Sequence, residues 1–162
     1  MTGVQTCALP IYHYRDIAPP VQGTRGHQFA MYIVYQNHLP MMADYPAAYR
    51  GEPGLKFLVQ VPTSWDETRV LHAEMDKCLV IARRKTDAWY VGGMTAGEER
   101  KLDLPLDFLG DGSFEAELYL DDAAEGPTSV THRQQTVSAA DTLRVLMSRS
   151  GGFAARLKRT AH

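Results

Sequence analysis

The spacing of hydrophobic and polar positions changes near Pro62. Upstream, apolar residues recur every three to four positions over Thr24–Asn37, which predicts a helix that Thr24 can cap. A second helix is predicted over Pro53–Gln60, because proline suits a first helical turn. Between them, the short apolar run Leu39–Ala43 is typical of a strand buried on both faces. The upstream order is therefore helix, buried strand, helix.

After Pro62 the spacing changes to period two, which indicates strands. Eight are predicted, namely Glu67–Ala73, Lys77–Arg84, Ala88–Met94, Arg100–Leu104, Ser113–Asp121, Ser129–Val137, Thr142–Met147 and Phe153–Lys158. The alternation is clearest from Phe114 to Leu120, which reads as a half-buried strand with Tyr119 on its polar face. Many short strands joined by turns are typical of an antiparallel sandwich. The fold class is mainly β, with a domain boundary predicted between Pro62 and Trp65.

Composition and charge narrow the function classes. The length of 162 residues admits one ordinary domain, or a small domain with a piece of another. With 44% hydrophobic and 22% charged residues, the chain is neither disordered nor fibrous by composition. A net charge of -2 without a basic run argues against nucleic acid as a partner. No apolar stretch approaches the roughly 20 residues of a membrane-spanning helix, so no membrane partner is expected.

The opening segment Met1–Ile11 carries no charge and follows neither spacing. It matches, codon by codon, the translation of a common short-read sequencing adapter read from a GTG start, and the leftover T begins the codon of Tyr12. We therefore expect Met1–Ile11 to be an assembly artefact and exclude it from fold reasoning. Cys7 then drops out, so Cys78 is the single genuine cysteine and no intrachain disulfide is expected.

Candidate chemistry is sparse. The histidines lie far apart and form no zinc-binding spacing; they are His13, His27, His38, His72, His132 and His162. Four aspartates lack the spacing of a calcium-binding loop and are interpreted as turn residues: Asp107, Asp111, Asp121 and Asp122. Cys78 stands in an apolar strand and is interpreted as a small buried hydrophobic residue rather than a nucleophile. Gly92 and Gly93 open no helix, which favours a bulge or close packing over a phosphate loop.

The stretch PTSWDETRVL, residues 62–71, is the most individual in the chain. Its adjacent carboxylates, Asp66 and Glu67, point to opposite faces if they lie on a strand, so they cannot flank one sugar bond as a glycosidase pair must. We predict that Trp65 packs at a domain junction and that Asp66 or Glu67 pairs with Arg69 or a backbone amide. A catalytic role for these carboxylates is the alternative.

Asp44 stands just beyond the carboxyl end of the predicted buried strand. In a (β/α)8 barrel this is the rim on which substrate sites are built, so Asp44 is a candidate for a substrate rim. A helix-capping aspartate before Pro46 is the alternative interpretation.

Four motifs in order, WDET, IARR, WYVG and DFLG, resemble glycoside hydrolase family 97, the bacterial α-glucosidase and α-galactosidase family. Residues 23–51 are similar to the end of that family's catalytic barrel, VPTSWDETRVL to its junction, and residues 78–95 to the start of its C-terminal sandwich. The resemblance implies a parent with an N-terminal β-sandwich, a (β/α)8 barrel and a C-terminal oligomerisation sandwich. Together with the adapter match, it predicts three segments: an adapter artefact (1–11), a remnant of the truncated barrel with its last helix, strand and helix (12–62), and the sandwich (63–162).

The resemblance also implies what the parent does. It implies a calcium-dependent enzyme, periplasmic or secreted, that hydrolyses α-glucosidic or α-galactosidic bonds of α-linked glycans. The family's catalytic carboxylates and calcium ligands lie upstream, and no position from Tyr12 onward matches them, so we expect no catalytic residue, no metal ligand and no activity in this chain alone. The implied partners are the missing barrel and N-terminal domain of the parent and a second copy bound through the sandwich.

Two other readings stay open, a stand-alone carbohydrate-binding module and a purely structural interface domain. The first needs exposed aromatic residues in a row, for which Trp89, Tyr90 and Tyr119 are few. Two expectations concern stability. The sandwich from about Trp65 onward is expected to fold by itself, and the upstream segment to expose apolar residues that a full barrel would cover, namely Met41, Met42, Phe57 and Leu58.

Overall fold

The computed structural model describes residues 23–39, 51, 53–122 and 124–160. Helices α1 (Arg25–Val34) and α2 (Pro53–Leu58) precede the strands, and a short 3-10 helix at Asp107–Leu109 follows the fourth strand. The strands are β1 (Glu67–Glu74), β2 (Cys78–Lys85), β3 (Ala88–Thr95), β4 (Arg100–Pro105), β5 (Ser113–Asp121), β6 (Val130–Ser138), β7 (Thr142–Met147) and β8 (Gly152–Arg159). Each of the eight strands predicted after Pro62 is therefore present, with ends shifted by a residue or so.

The described strands form two antiparallel sheets. The larger has the order β1-β2-β3-β8-β5-β6, and the smaller pairs β4 with β7. Apolar side chains on the facing surfaces of the two sheets form the inner core, which includes Val80, Trp89, Leu118, Val145 and Leu157. This arrangement confirms the antiparallel β-sandwich that the period-two spacing predicts.

The opposite surface of the larger sheet carries a second cluster, the outer core. It consists of Phe29 and Ile33 of α1, Phe57 of α2, and residues of the sheet that include Tyr90 and Tyr119. Aromatic rings pack closely here, with 4.9 Å between the ring centroids of Phe57 and Tyr119. The interpretation of β5 as half-buried was wrong at Tyr119, which is 2% exposed because the helices cover it.

The expectation that Phe57 is exposed without a barrel is also wrong, since its side chain is fully buried against the sheet. Leu58 packs against the same cluster and is partly buried. Met41 and Met42 lie outside the described residues, as does most of the predicted strand Leu39–Ala43. Leu39 itself lies in a bend and is 76% exposed.

Helix α1 begins where the sequence predicts, but it ends before the predicted residue, Asn37. The Thr24 side chain accepts a hydrogen bond from the His27 N–H at 3.1 Å, which caps the first turn. Tyr35 then adopts an extended backbone (φ -79°, ψ 139°), so the helix stops at Val34 rather than at Asn37. Among the described residues, no helix is both long and apolar enough to cross a membrane.

Glycine allows α1 to approach the sheet closely. A Cβ atom on Gly92 of β3 would lie 2.9 Å from the Cβ of Ile33, and one on Gly152 of β8 would lie 2.8 Å from the Cα of His27. A side chain at Gly92 would require α1 to move away, and one at Gly152 would also meet the Gly93 carbonyl oxygen, 2.5 Å from the added Cβ. The interpretation of Gly92 as a close-packing residue is therefore confirmed.

Candidate functional site: the junction between helices and sandwich

Trp65 lies between the helical segment and the sheet. Its ring meets Tyr90 of β3 edge-on at 5.4 Å between centroids, and the Arg83 guanidinium carbon lies 5.7 Å from the Trp65 ring centroid. The Tyr90 hydroxyl donates a hydrogen bond of 2.9 Å to the Gln60 carbonyl, just after α2. These contacts place Trp65 beside the outer core, where the chain passes from α2 into β1.

Asp66 holds the turn between β2 and β3. Its carboxylate accepts hydrogen bonds from the Thr86 N–H at 2.7 Å and from Lys85 Nζ at 3.1 Å. Thr86 has a positive φ of 51°, which a threonine adopts only where its surroundings fix the turn. The hydrogen bond from Thr86, followed by that from Lys85, lowers the pKa of the Asp66 carboxyl.

Glu67 is paired with two arginines. Its carboxylate accepts from Arg69 Nε at 2.7 Å and from Arg84 Nε at 3.1 Å, and these hydrogen bonds, that of Arg69 foremost, lower the Glu67 pKa. The guanidinium carbons of Arg69 and Arg84 lie 5.6 Å and 5.9 Å from the ring centroid of Trp89. A general acid in glycoside hydrolysis requires a raised pKa, so the environments of Asp66 and Glu67 favour the opposite state.

Arg83 connects the end of α1 to the sheet. Its side chain is 7% exposed, and Nη2 donates a 3.1 Å hydrogen bond to the Val34 carbonyl, at the carboxyl end of α1, where a positive charge is favourable. Burial lowers the Arg83 pKa, and Nε has no hydrogen-bond partner among the described residues. Sequence reasoning missed this residue; the available signal is an arginine that directly follows the apolar run CLVIA in β2.

Asp121 makes the corresponding connection at the start of α1. Its carboxylate accepts backbone hydrogen bonds from Gly26 at 3.1 Å, Gly152 at 2.9 Å and Ser148 at 3.3 Å. The interpretation of Asp121 as a turn residue is therefore wrong, because its partners lie far away in the sequence. Asp122 does stabilise a local turn, as predicted, by accepting from the backbone of Ala124 at 3.1 Å.

Two further candidate residues from the sequence are Cys78 and Asp44. Cys78 is buried in the inner core, and this burial raises its thiol pKa, which confirms its interpretation as a hydrophobic residue. Asp44 lies outside the described residues. Within the described part of the chain, no group of three or more His, Cys, Asp or Glu side chains could hold a metal ion.

The described part of the chain offers little surface for binding a sugar. The aromatic residues considered for a carbohydrate-binding face, Trp89, Tyr90 and Tyr119, are all 5% exposed or less, so they cannot offer a stacking surface. A cleft of about 120 Å³ lies between α1, α2 and the start of β6, next to Phe29 and Ser129. It is smaller than the roughly 300 Å³ at which ligand pockets usually begin.

Comparison with known proteins gives a consistent result. The family model described as "Glycosyl-hydrolase 97 C-terminal, oligomerisation" matches residues 64–158. A retaining alpha-galactosidase of Bacteroides thetaiotaomicron is 36% identical over 143 residues, covering 86% of this chain and 22% of that protein.

Solved structures of glycosidases contain the same fold. A glycoside hydrolase family 97 enzyme from Pseudoalteromonas sp. strain K8, in complex with acarbose, superposes with a TM-score of 0.78 at 32% identity, covering 86% of this chain and 23% of that one. A beta-arabinopyranosidase gives a TM-score of 0.73 at 28% identity, covering 87% and 22%. The chain thus spans about a fifth of the length of these relatives. It belongs to the glycosyl-hydrolase 97 C-terminal, oligomerisation family.

Proposed function

We propose that this chain is the structural and oligomerisation part of a family 97 glycoside hydrolase and has no hydrolytic activity alone. The observation that carries the proposal is the junction itself: Arg83 and Asp121 hold α1 on the outer surface of the sandwich, and Trp65 packs beside Arg83 and the outer core. In this arrangement the helices and the sandwich hold fixed positions relative to each other, so a domain joined to the helices is held in place against the sandwich. It is suited to holding a catalytic domain within an assembly.

The carboxylates at the junction support the absence of catalysis. Glycoside hydrolysis requires one carboxyl group that carries a proton near neutral pH and a second one across the sugar bond. Asp66 and Glu67 both have lowered pKa values, and their oxygens already accept hydrogen bonds from Thr86, Lys85, Arg69 and Arg84. Each carboxylate therefore has a structural role, because its oxygens accept hydrogen bonds within the protein.

We further propose that the parent enzyme acts on α-galactosidic or α-glucosidic bonds. The relative from B. thetaiotaomicron is named a retaining alpha-galactosidase, and the Pseudoalteromonas enzyme is described with acarbose bound. The beta-arabinopyranosidase shares this fold over 22% of its chain, so the sandwich is compatible with different sugar specificities. The sugar is thus determined outside the described residues.

A calcium requirement and a periplasmic or secreted location are parts of the same proposal, and both rest on the family resemblance. The described carboxylates do not fit a calcium site, because calcium takes six to eight oxygen ligands and these groups are dispersed and engaged elsewhere. We therefore assign calcium binding to residues outside the described part. Measuring parent activity in cell fractions, with and without a chelator, tests both points.

The direct test is an assay of the purified chain with nitrophenyl α-galactoside and nitrophenyl α-glucoside, with calcium titrated by calorimetry. We expect no turnover above buffer and no tight calcium binding, because loss of general acid catalysis alone removes typically a hundred- to ten-thousand-fold in rate. Asp66→Asn and Glu67→Gln are the matched variants. Calcium-stimulated turnover that either variant abolishes would overturn the proposal and move the active site to the junction.

A further inference from the structure

Strand β6 forms one edge of the larger sheet and is unusually open. Its residues pair with β5 in an uninterrupted register from Val130 to Ser138. Five consecutive residues, from His132 to Thr136, are exposed, so both faces of the strand are accessible here. On the side away from β5, the described residues provide no backbone hydrogen-bond partner for this segment. Such an edge is a template for pairing with another strand.

The other edges in the described part of the chain are less suited to pairing. The opposite edge, β1, has a register irregularity between Val70 and His72 and is flanked by the ion pairs of Glu67 and Glu74. The smaller sheet offers only strands of six residues, and one of them, β4, ends in Pro105, which has no N–H to donate. Bulges, charges and proline are devices that protect edges, and over its exposed stretch β6 has only one of them, the single charge of Arg133.

We propose that the free edge of β6 pairs with β6 of a second copy of this chain, antiparallel and centred on Gln134. This inference rests on the proposed oligomerisation function and names the surface that performs it. A pairing of two identical strands about a twofold axis is isologous, so the same residues must complement one another. The sequence of β6 meets that condition.

The paired residues are compatible in charge and size. Centring on Gln134 places it opposite its own counterpart and Arg133 opposite Gln135 of the other copy. It also places His132 opposite Thr136. Arg133 is the only residue of β6 with a fixed charge, and in this register it faces a neutral amide, so no like charges are opposed. The larger sheet would then continue through both copies.

The register is tested by disulfide formation in a Cys7→Ser background, because Cys78 is buried and does not compete. Residues directly opposite in antiparallel strands have Cα atoms about 4.5–5.5 Å apart, which is within the range that a disulfide spans. We expect Gln134→Cys to form a covalent dimer under mild oxidation. Thr136→Cys is the matched control, because its own counterpart would lie roughly 13 Å away.

Charge variants at one position test the pairing in solution. Gln135→Glu brings a carboxylate opposite Arg133 of the other copy, twice per dimer, and we expect the dissociation constant to fall about three- to tenfold at low salt. Gln135→Lys should raise it by a similar factor. Thr68→Lys, which places the same charge on the exposed opposite edge, should leave it unchanged.

Sedimentation and light scattering separate the outcomes. A wild-type chain that stays monomeric at high concentration would contradict the oligomerisation function and this inference together. A wild-type dimer that Gln134→Cys does not cross-link, and that neither Gln135 variant shifts, would overturn the β6 assignment alone. Cross-linking by Gln134→Cys together with opposite shifts for Gln135→Glu and Gln135→Lys supports the proposed surface.

Discussion

The inner and outer cores of this protein are built in different ways. The inner core takes apolar side chains, aliphatic and aromatic, mainly from strands of both sheets, in the alternating positions that face the partner sheet. The outer core combines aromatic rings with the close approach of α1 to Gly92 and Gly152, and polar groups fix the helix at both ends. The inner core therefore depends on a local repeating pattern, and the outer core depends on contacts between residues that are distant in sequence.

The two cores should respond differently to mutation. An apolar sheet interface is sensitive mainly to buried charge and to lost volume. A helix held by close approach and by hydrogen bonds at its ends is sensitive to added atoms and to changes in a single polar group.

Leu118→Asp should unfold the protein. Leu118 is 3% exposed and lies in the inner core, so the variant buries a carboxylate without a partner. The expected cost, on the order of 5 kcal/mol or more, is comparable to the whole stability of a small domain. Circular dichroism and thermal unfolding measure it. A variant that melts near the wild-type temperature would show that the inner core is not the main source of stability.

Gly92→Val should disrupt the outer core and leave the inner core intact, because the new side chain would meet Ile33 of α1. We expect a loss of about 3 kcal/mol, with strand structure retained and protection of α1 lost. Thr68→Val, at an exposed position of β1, is the control and should be nearly neutral. Unchanged stability in Gly92→Val would mean that α1 does not pack as closely as the structure shows.

Asp121→Asn should have a smaller effect of the same kind. The amide keeps one acceptor oxygen but turns an N–H₂ group towards backbone donors, so at least one of the three hydrogen bonds is lost. The expected loss is about 1–2 kcal/mol in the free energy of unfolding. Asp103→Asn, at a side chain that is 74% exposed, should change stability little. Equal effects in both variants would contradict the role of Asp121.

Lowering the pH should produce the smallest change in the free energy of unfolding. The pKa values of Asp66 and Glu67 are lower in the folded protein than their ordinary values of 3.8 and 4.5, so their contribution to stability is complete above those values. It is lost as the pH falls through the lower, folded-state values. Urea unfolding between pH 6 and pH 3, approximately, measures the loss. Asp66→Asn and Glu67→Gln should each flatten that dependence, and an unchanged slope would contradict the ion-paired geometry.

The same contrast explains what the sequence could predict. Strand positions such as 113–121 follow from alternation within a few residues, and this is why the bounds of β5 were predicted correctly. The burial of Tyr119 and Phe57 could not be predicted, because it depends on where α1 and α2 lie against the sheet. The role of Asp121 was missed for the same reason, since its partners Gly26 and Gly152 meet only in the folded chain.

A boundary between Pro62 and Trp65 stays a prediction about how the parent is divided. That the sandwich from about Trp65 onward folds by itself also stays a prediction, and the outer core argues against it. Without the helices, Tyr90, Tyr119 and Ala154 would lose the apolar cover that buries them. We therefore expect the helices and the sandwich to unfold as one unit with two cores.

Native-state hydrogen exchange tests this claim most directly. If the helices and the sandwich unfold together, the amides of Ala30 and Ile33 in α1 should exchange with nearly the same free energy as those of Leu118 and Ala155 in the sheet, close to that of global unfolding. If α1 amides exchange through a local opening several kcal/mol below the sheet, while the strands stay protected, then the outer core is an attachment to an independent sandwich and the account is contradicted.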